Sequence, residues 1–73
     1  MPAIIQRDPK VLGGQPVIRG TRVPVARILA LIGLDYRLAD LKKELPQLSN
    51  LRQNDLAEIL DFYKEKYSFA VAS

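Results

Sequence analysis

Gly13-Gly14-Gln15-Pro16-Val17-Ile18-Arg19-Gly20-Thr21-Arg22-Val23-Pro24 punctuates this chain more densely than any other stretch. Three glycines, two prolines and two arginines surround one apolar pair, Val17-Ile18. Glycine permits backbone conformations that a Cβ forbids, and proline fixes φ while removing a donor. The stretch therefore reads as a turn, a short strand over residues 16–19, a second turn and the start of a helix. The second turn carries Arg19, Thr21 and Arg22, side chains suited to an anion beside the free N–H groups of a helix start.

Upstream, residues 4–7 read as another short strand, stopped by Asp8-Pro9. A lone two-stranded hairpin is marginal in water. The two pieces pair with each other or with their copies in a second chain, and the second arrangement favours a dimer. Downstream, a first helix is expected after Thr21, with Pro24 in its first turn. Val25, Ile28, Leu29 and Ile32 follow helical spacing, Leu31 flanks them, and Gly33 is the expected terminator. Leu38, Leu41 and Leu45 mark a second, shorter helix ended by Pro46.

The third helix is the longest, with Leu56, Ile59, Leu60 and Tyr63 on one face and Phe62 and Tyr67 beside them. Ser49, Asn50 or Asn54 is available to cap it, and Asn50 with Gln53 has capping-box spacing. Its start is thus expected between residues 50 and 55. The expected organisation is one domain over 1–73: strands and turns over 1–22, three helices over 23–67, and an apolar tail over 68–73. The fold class is mainly α, with a short amino-terminal β element and a helix-turn-helix arrangement of the last two helices.

Seventy-three residues, 48% of them hydrophobic, form one small domain. Such a core is marginal alone, which again favours a homodimer. There is no cysteine to staple it and no histidine to ligate a metal or act as a general base. The amino terminus lacks the pattern of a signal peptide, and no apolar run reaches the ~20 residues of a membrane helix. A cytoplasmic protein with no membrane role and no cofactor is expected. The net charge of +3 is unevenly spread. Residues 1–54 carry nine basic against four acidic side chains, and residues 55–73 two against four. A basic body thus joins an acidic final helix.

Enzymatic chemistry finds little purchase. The carboxylates Glu58, Asp61 and Glu65 fall on the polar side of an amphipathic helix, and Asp8 and Asp35 fit turn and cap positions. The glycines lack the spacing of a phosphate-binding loop. DNA binding fits better, because in a helix-turn-helix the start of the second helix of the pair enters the major groove. Here that start bears Asn50, Arg52, Gln53 and Asn54, types that match guanine and adenine edges. Plain capping by Asn50 and Asn54, with Arg52 simply solvated, is an equally ordinary reading. Asp55, Glu58 and Asp61 repel phosphate, so only the helix start is expected to face DNA. Arg19, Thr21 and Arg22 are expected to contact its backbone. A salt bridge from a buried Arg22 is the competing role, and a solvated helix face suits Lys42 and Lys43. Tyr63, Tyr67, Phe69 and Val71 are anchors of the kind found at protein interfaces.

The run Gly14-Gln15-Pro16-Val17-Ile18-Arg19-Gly20-Thr21-Arg22-Val23-Pro24-Val25 resembles the Gly-x-Pro-x-Ile-x-Gly-Thr-Arg-Ile/Val-Pro-Val signature of the bacterial domain-of-unknown-function 433 family. The helical pattern that follows is similar too, so the resemblance spans essentially the whole chain. It implies a homeodomain-like helix-turn-helix and a VapB-type antitoxin, partnered by a PIN-like ribonuclease toxin and by its own promoter DNA. One departure is local: the segment from Pro46 to Gln53 is longer than the family pattern and lacks its threonine cap. The alternative function is a small protein-protein interaction module that binds no DNA, its Gly20-Thr21-Arg22 turn purely structural.

Overall fold

The computed structural model describes residues 1–67, with side chains as far as Lys64. Two strands, β1 (Ile5–Gln6) and β2 (Val17–Ile18), precede three helices, α1 (Val25–Gly33), α2 (Leu38–Glu44) and α3 (Gln53–Tyr67). Short 3-10 turns occupy Leu12–Gly14 and Pro46–Leu48. The chain is mainly helical with an amino-terminal β element, as its patterning predicts.

The strands pair within the chain and antiparallel, Ile5 opposite Ile18 and Gln6 opposite Val17. Val17 also bridges Pro24 on its other side. The Val25 N–H donates to the Pro16 carbonyl at 3.0 Å, so β2 has backbone partners on both edges. Two-residue strands are stable here because Ile5, Val17 and Ile18 are all at most 3% exposed. Exchange of these strands with a second chain is therefore not how they are satisfied.

Between the edges of β2 lies the expected turn. The Thr21 N–H donates to the Ile18 carbonyl at 2.9 Å. Gly20, third residue of that turn, has φ +80°, the left-handed value a type II turn demands there. The Ile18 N–H bonds the Val23 carbonyl at 3.0 Å and closes the loop. Pro24 sits just before α1, extended at φ −66° and ψ 139°, rather than inside its first turn. Its carbonyl accepts from the Arg27 N–H at 3.1 Å.

The end of α1 corrects another expectation. Gly33 is the last helical residue, and the left-handed position falls on Asp35, at φ +68°. The Asp35 N–H bonds the Ile32 carbonyl at 2.9 Å and the Tyr36 N–H bonds the Leu31 carbonyl at 3.1 Å, a Schellman pair. Tyr36 and Leu31 both pack against the core, as that motif favours.

The core draws on both strands, all three helices and the α2–α3 connection: Ile5 and Ile18, Val25 and Ile28, Leu41, Leu48 and Leu51, and Leu56, Ile59 and Tyr63. Ile28, Leu41 and Ile59 have no exposed surface. Leu60, expected on the buried face of α3, is 37% exposed, while Asp55 is buried with 5% exposure. Among the described residues, no helix is long and apolar enough to cross a membrane.

Candidate nucleic-acid interface

The connection from α2 to α3 determines what the start of α3 presents. Leu48 and Leu51 are 1% and 2% exposed and anchor this connection in the core. The Pro46–Leu48 turn compacts this connection, with the Leu48, Ser49 and Leu51 N–H groups bonding back to the Leu45, Pro46 and Leu48 carbonyls. With the leucines facing inward, Asn50, Arg52, Gln53 and Asn54 all lie exposed. The four candidate base-reading residues thus form one exposed corner at the start of α3.

The cap of α3 is not the one expected. No side chain of Ser49, Asn50 or Asn54 makes a capping hydrogen bond among the described residues. The Arg52 carbonyl accepts from the Asp55 and Leu56 N–H groups, which places Arg52 at the N-cap. Asp55, three residues on, accepts the Arg52 backbone N–H at 2.9 Å. This is the returning half of a capping box. Leu51 and Leu56 occupy the hydrophobic-staple positions, and both are buried.

Asp55 reaches the Arg52 side chain as well. Its Oδ2 accepts from Nε at 3.4 Å and its Oδ1 from Nη2 at 3.4 Å. Burial pushes the Asp55 carboxyl up. The Arg52 N–H, the guanidinium hydrogen bonds and the attraction of that cation outweigh burial and hold it below its ordinary value. The repulsion of phosphate expected from Asp55 is accordingly countered at its source, whereas Glu58 and Asp61 remain exposed.

The signal that would have located this cap was present in the sequence. Tyr36-Arg37-Leu38-Ala39-Asp40-Leu41 and Leu51-Arg52-Gln53-Asn54-Asp55-Leu56 share one pattern, an apolar residue, Arg, two others, Asp and Leu. In α2 the Asp40 carboxylate accepts the Arg37 N–H at 2.9 Å, the same bond. It is not a Ser, Thr or Asn cap, because the capping side chain belongs to the third helical residue.

The other nominated group lies in the β2 turn. The Thr21 hydroxyl donates to the Ile18 carbonyl at 2.8 Å and accepts the Val23 N–H at 3.0 Å, so it works inside the turn. Arg19 Nε donates to the Ala3 carbonyl, with the residue otherwise exposed. Arg22 is exposed and forms no ion pair among the described residues, which overturns the buried salt bridge considered for it. No hydrogen bond or ion pair joins this turn to the Asn50–Asn54 corner among the described residues. Lys43 is exposed in the last turn of α2, and Lys42 is half-buried there. Arg27 and Glu44 pair at 3.9 Å across α1 and α2.

Of the residues nominated for a protein partner, Tyr63 is 6% exposed and packs edge-on against Phe62, ring centroids 5.1 Å apart. It serves the core of its own chain. The Tyr67 side chain, Phe69 and Val71 lie outside the described residues.

A family model described as "Protein of unknown function (DUF433)" matches residues 5–63. No match was found among curated proteins or among solved structures.

Proposed function

We propose, starting from the fact that this chain belongs to the DUF433 family, that it is the antitoxin of a type II toxin–antitoxin pair. In this reading it is a non-enzymatic cytoplasmic protein. It neutralises a PIN-like ribonuclease toxin and, as a homodimer, binds and represses its own promoter through a helix-turn-helix made of α2 and α3. The observation that carries the DNA arm is the exposed set Asn50, Arg52, Gln53 and Asn54 at the start of α3, held outward by buried Leu48 and Leu51. Helix-turn-helix modules present base-reading side chains from this position. The toxin arm rests on the family resemblance.

Binding is tested with the DNA upstream of the protein's own gene, titrated at low and high salt. Exposed Arg22 and Arg52 are expected to engage DNA, so the double variant Arg22→Ala, Arg52→Ala should lower affinity and flatten its salt dependence. No binding at low salt would remove the repressor arm. The toxin arm is tested by co-expressing the adjacent gene product and asking whether growth is rescued. Truncation after Lys66 with rescue intact would exclude the tail as the contact.

The interaction-module reading has one observation in its favour. The Thr21 hydroxyl is engaged within its turn, as a purely structural Gly20-Thr21-Arg22 segment requires.

A further inference from the structure

Arg52 and Asp55 make more contacts than capping needs. In α2 the equivalent pair, Arg37 and Asp40, makes only the backbone bond, and Asp40 is exposed. In α3 the Asp55 side chain is 7% exposed and accepts, besides the backbone N–H, two guanidinium hydrogens. The Arg52 side chain is nevertheless 75% exposed. A buried anion thus lies along one side of a cation, 3.4 Å from both Nε and Nη2, while the remainder of the cation faces solvent.

The edge so occupied decides what stays available. Arginine has five N–H donors in a planar fork. Asp55 takes the side edge, Nε and one hydrogen of Nη2. The end edge, one hydrogen of Nη1 and the second hydrogen of Nη2, points away from this contact. Two parallel N–H groups on that edge match the O6 and N7 acceptors that guanine alone presents together in the major groove. Bracing the side edge restricts the rotation of a long side chain and lowers the ordering cost of that match.

We propose that Arg52 is a guanine-reading residue of this protein and that Asp55 is its positioning residue, holding the guanidinium side-on so that its end edge meets guanine O6 and N7 in duplex DNA. The inference rests on the DNA-binding reading above and adds to it a base identity and the residue that enforces it.

The experiment selects bound sequences from duplexes with a randomised 20-base-pair core, then compares the best duplex with copies in which single guanines are replaced by adenine or by 7-deazaguanine. Replacement of one guanine in each half-site is expected to weaken wild-type binding roughly 5- to 150-fold. Arg52→Lys keeps the charge and the backbone N–H that Asp55 accepts, but not the planar fork. A lysine ammonium donates to guanine without that fixed geometry, so the ratio should fall below the wild-type value, with the urea midpoint unchanged. Asp55→Asn should also reduce the ratio, with a far-UV circular dichroism spectrum like that of the wild type showing that the helix content is kept. If Arg52→Lys keeps the full guanine ratio, the inference is overturned while DNA binding stands. If only Asp55→Asn keeps it, the positioning role is overturned. If no duplex binds at low salt, the DNA-binding reading and this inference fall together.

Discussion

Gly20 and Asp35 both have left-handed backbones, and one of them is the wrong residue for it. Gly20 has open space around the position a Cβ would take, so Gly20→Ala meets no clash and its cost is purely conformational. It should destabilise by about 1 kcal/mol, read from the urea midpoint at unchanged m-value. Asp35 holds the Schellman position that glycine normally fills. Asp35→Gly should therefore raise stability by about 0.5 kcal/mol, and a lower thermal midpoint would contradict that. The motif Gly20-Thr21-Arg22 is legible as a turn from the sequence alone, because only φ is at issue. That Thr21 spends its hydroxyl within the turn was not legible, since a threonine beside arginines looks the same whether it faces the backbone or a phosphate.

Helices α2 and α3 begin alike, each with an Arg at the N-cap and an Asp three residues later that accepts its N–H. Loss of the carboxylate should cost more in α3, where it is buried, than in α2, where it is exposed. Asp55→Ala is expected to cost about 1–2 kcal/mol and Asp40→Ala about 0.5–1 kcal/mol, compared by urea denaturation. Asp55 also sets a pH dependence. Its carboxyl is held below the ordinary value in the folded chain, so the unfolded chain binds the proton more readily. The stabilisation is complete above the unfolded carboxylate range, at about pH 5 and higher, and is lost as pH falls through the folded value. Urea midpoints measured from pH 7 to pH 2 should fall more steeply in the wild type than in Asp55→Asn. The helices themselves were readable from spacing alone. Gln53 falls within the range expected for the start of α3, but the caps are not readable in that way, because the capping carboxylate belongs to a residue already inside the helix.

Small size makes the core unforgiving across the molecule as a whole. Seventy-three residues imply a total stability of roughly 4–11 kcal/mol. Ile59→Ala or Leu41→Ala, at positions with no exposed surface, should each cost about 2–5 kcal/mol. Either is expected to leave a substantial unfolded fraction by circular dichroism, and a fully folded variant with an unchanged midpoint would contradict the packing. The sequence by itself determined the element order, the turns and the apolar stripes, since these depend on φ preferences and on periodicity along the chain. Tertiary structure decided which candidates remain on the surface. Tyr63 is drawn into the core while Leu60 is left out, and Asp55 is buried beneath Arg52 rather than set against solvent. Those outcomes depend on how elements distant in sequence rotate about their axes as they pack. The pattern within one helix defines a face, but only its neighbours determine where that face ends.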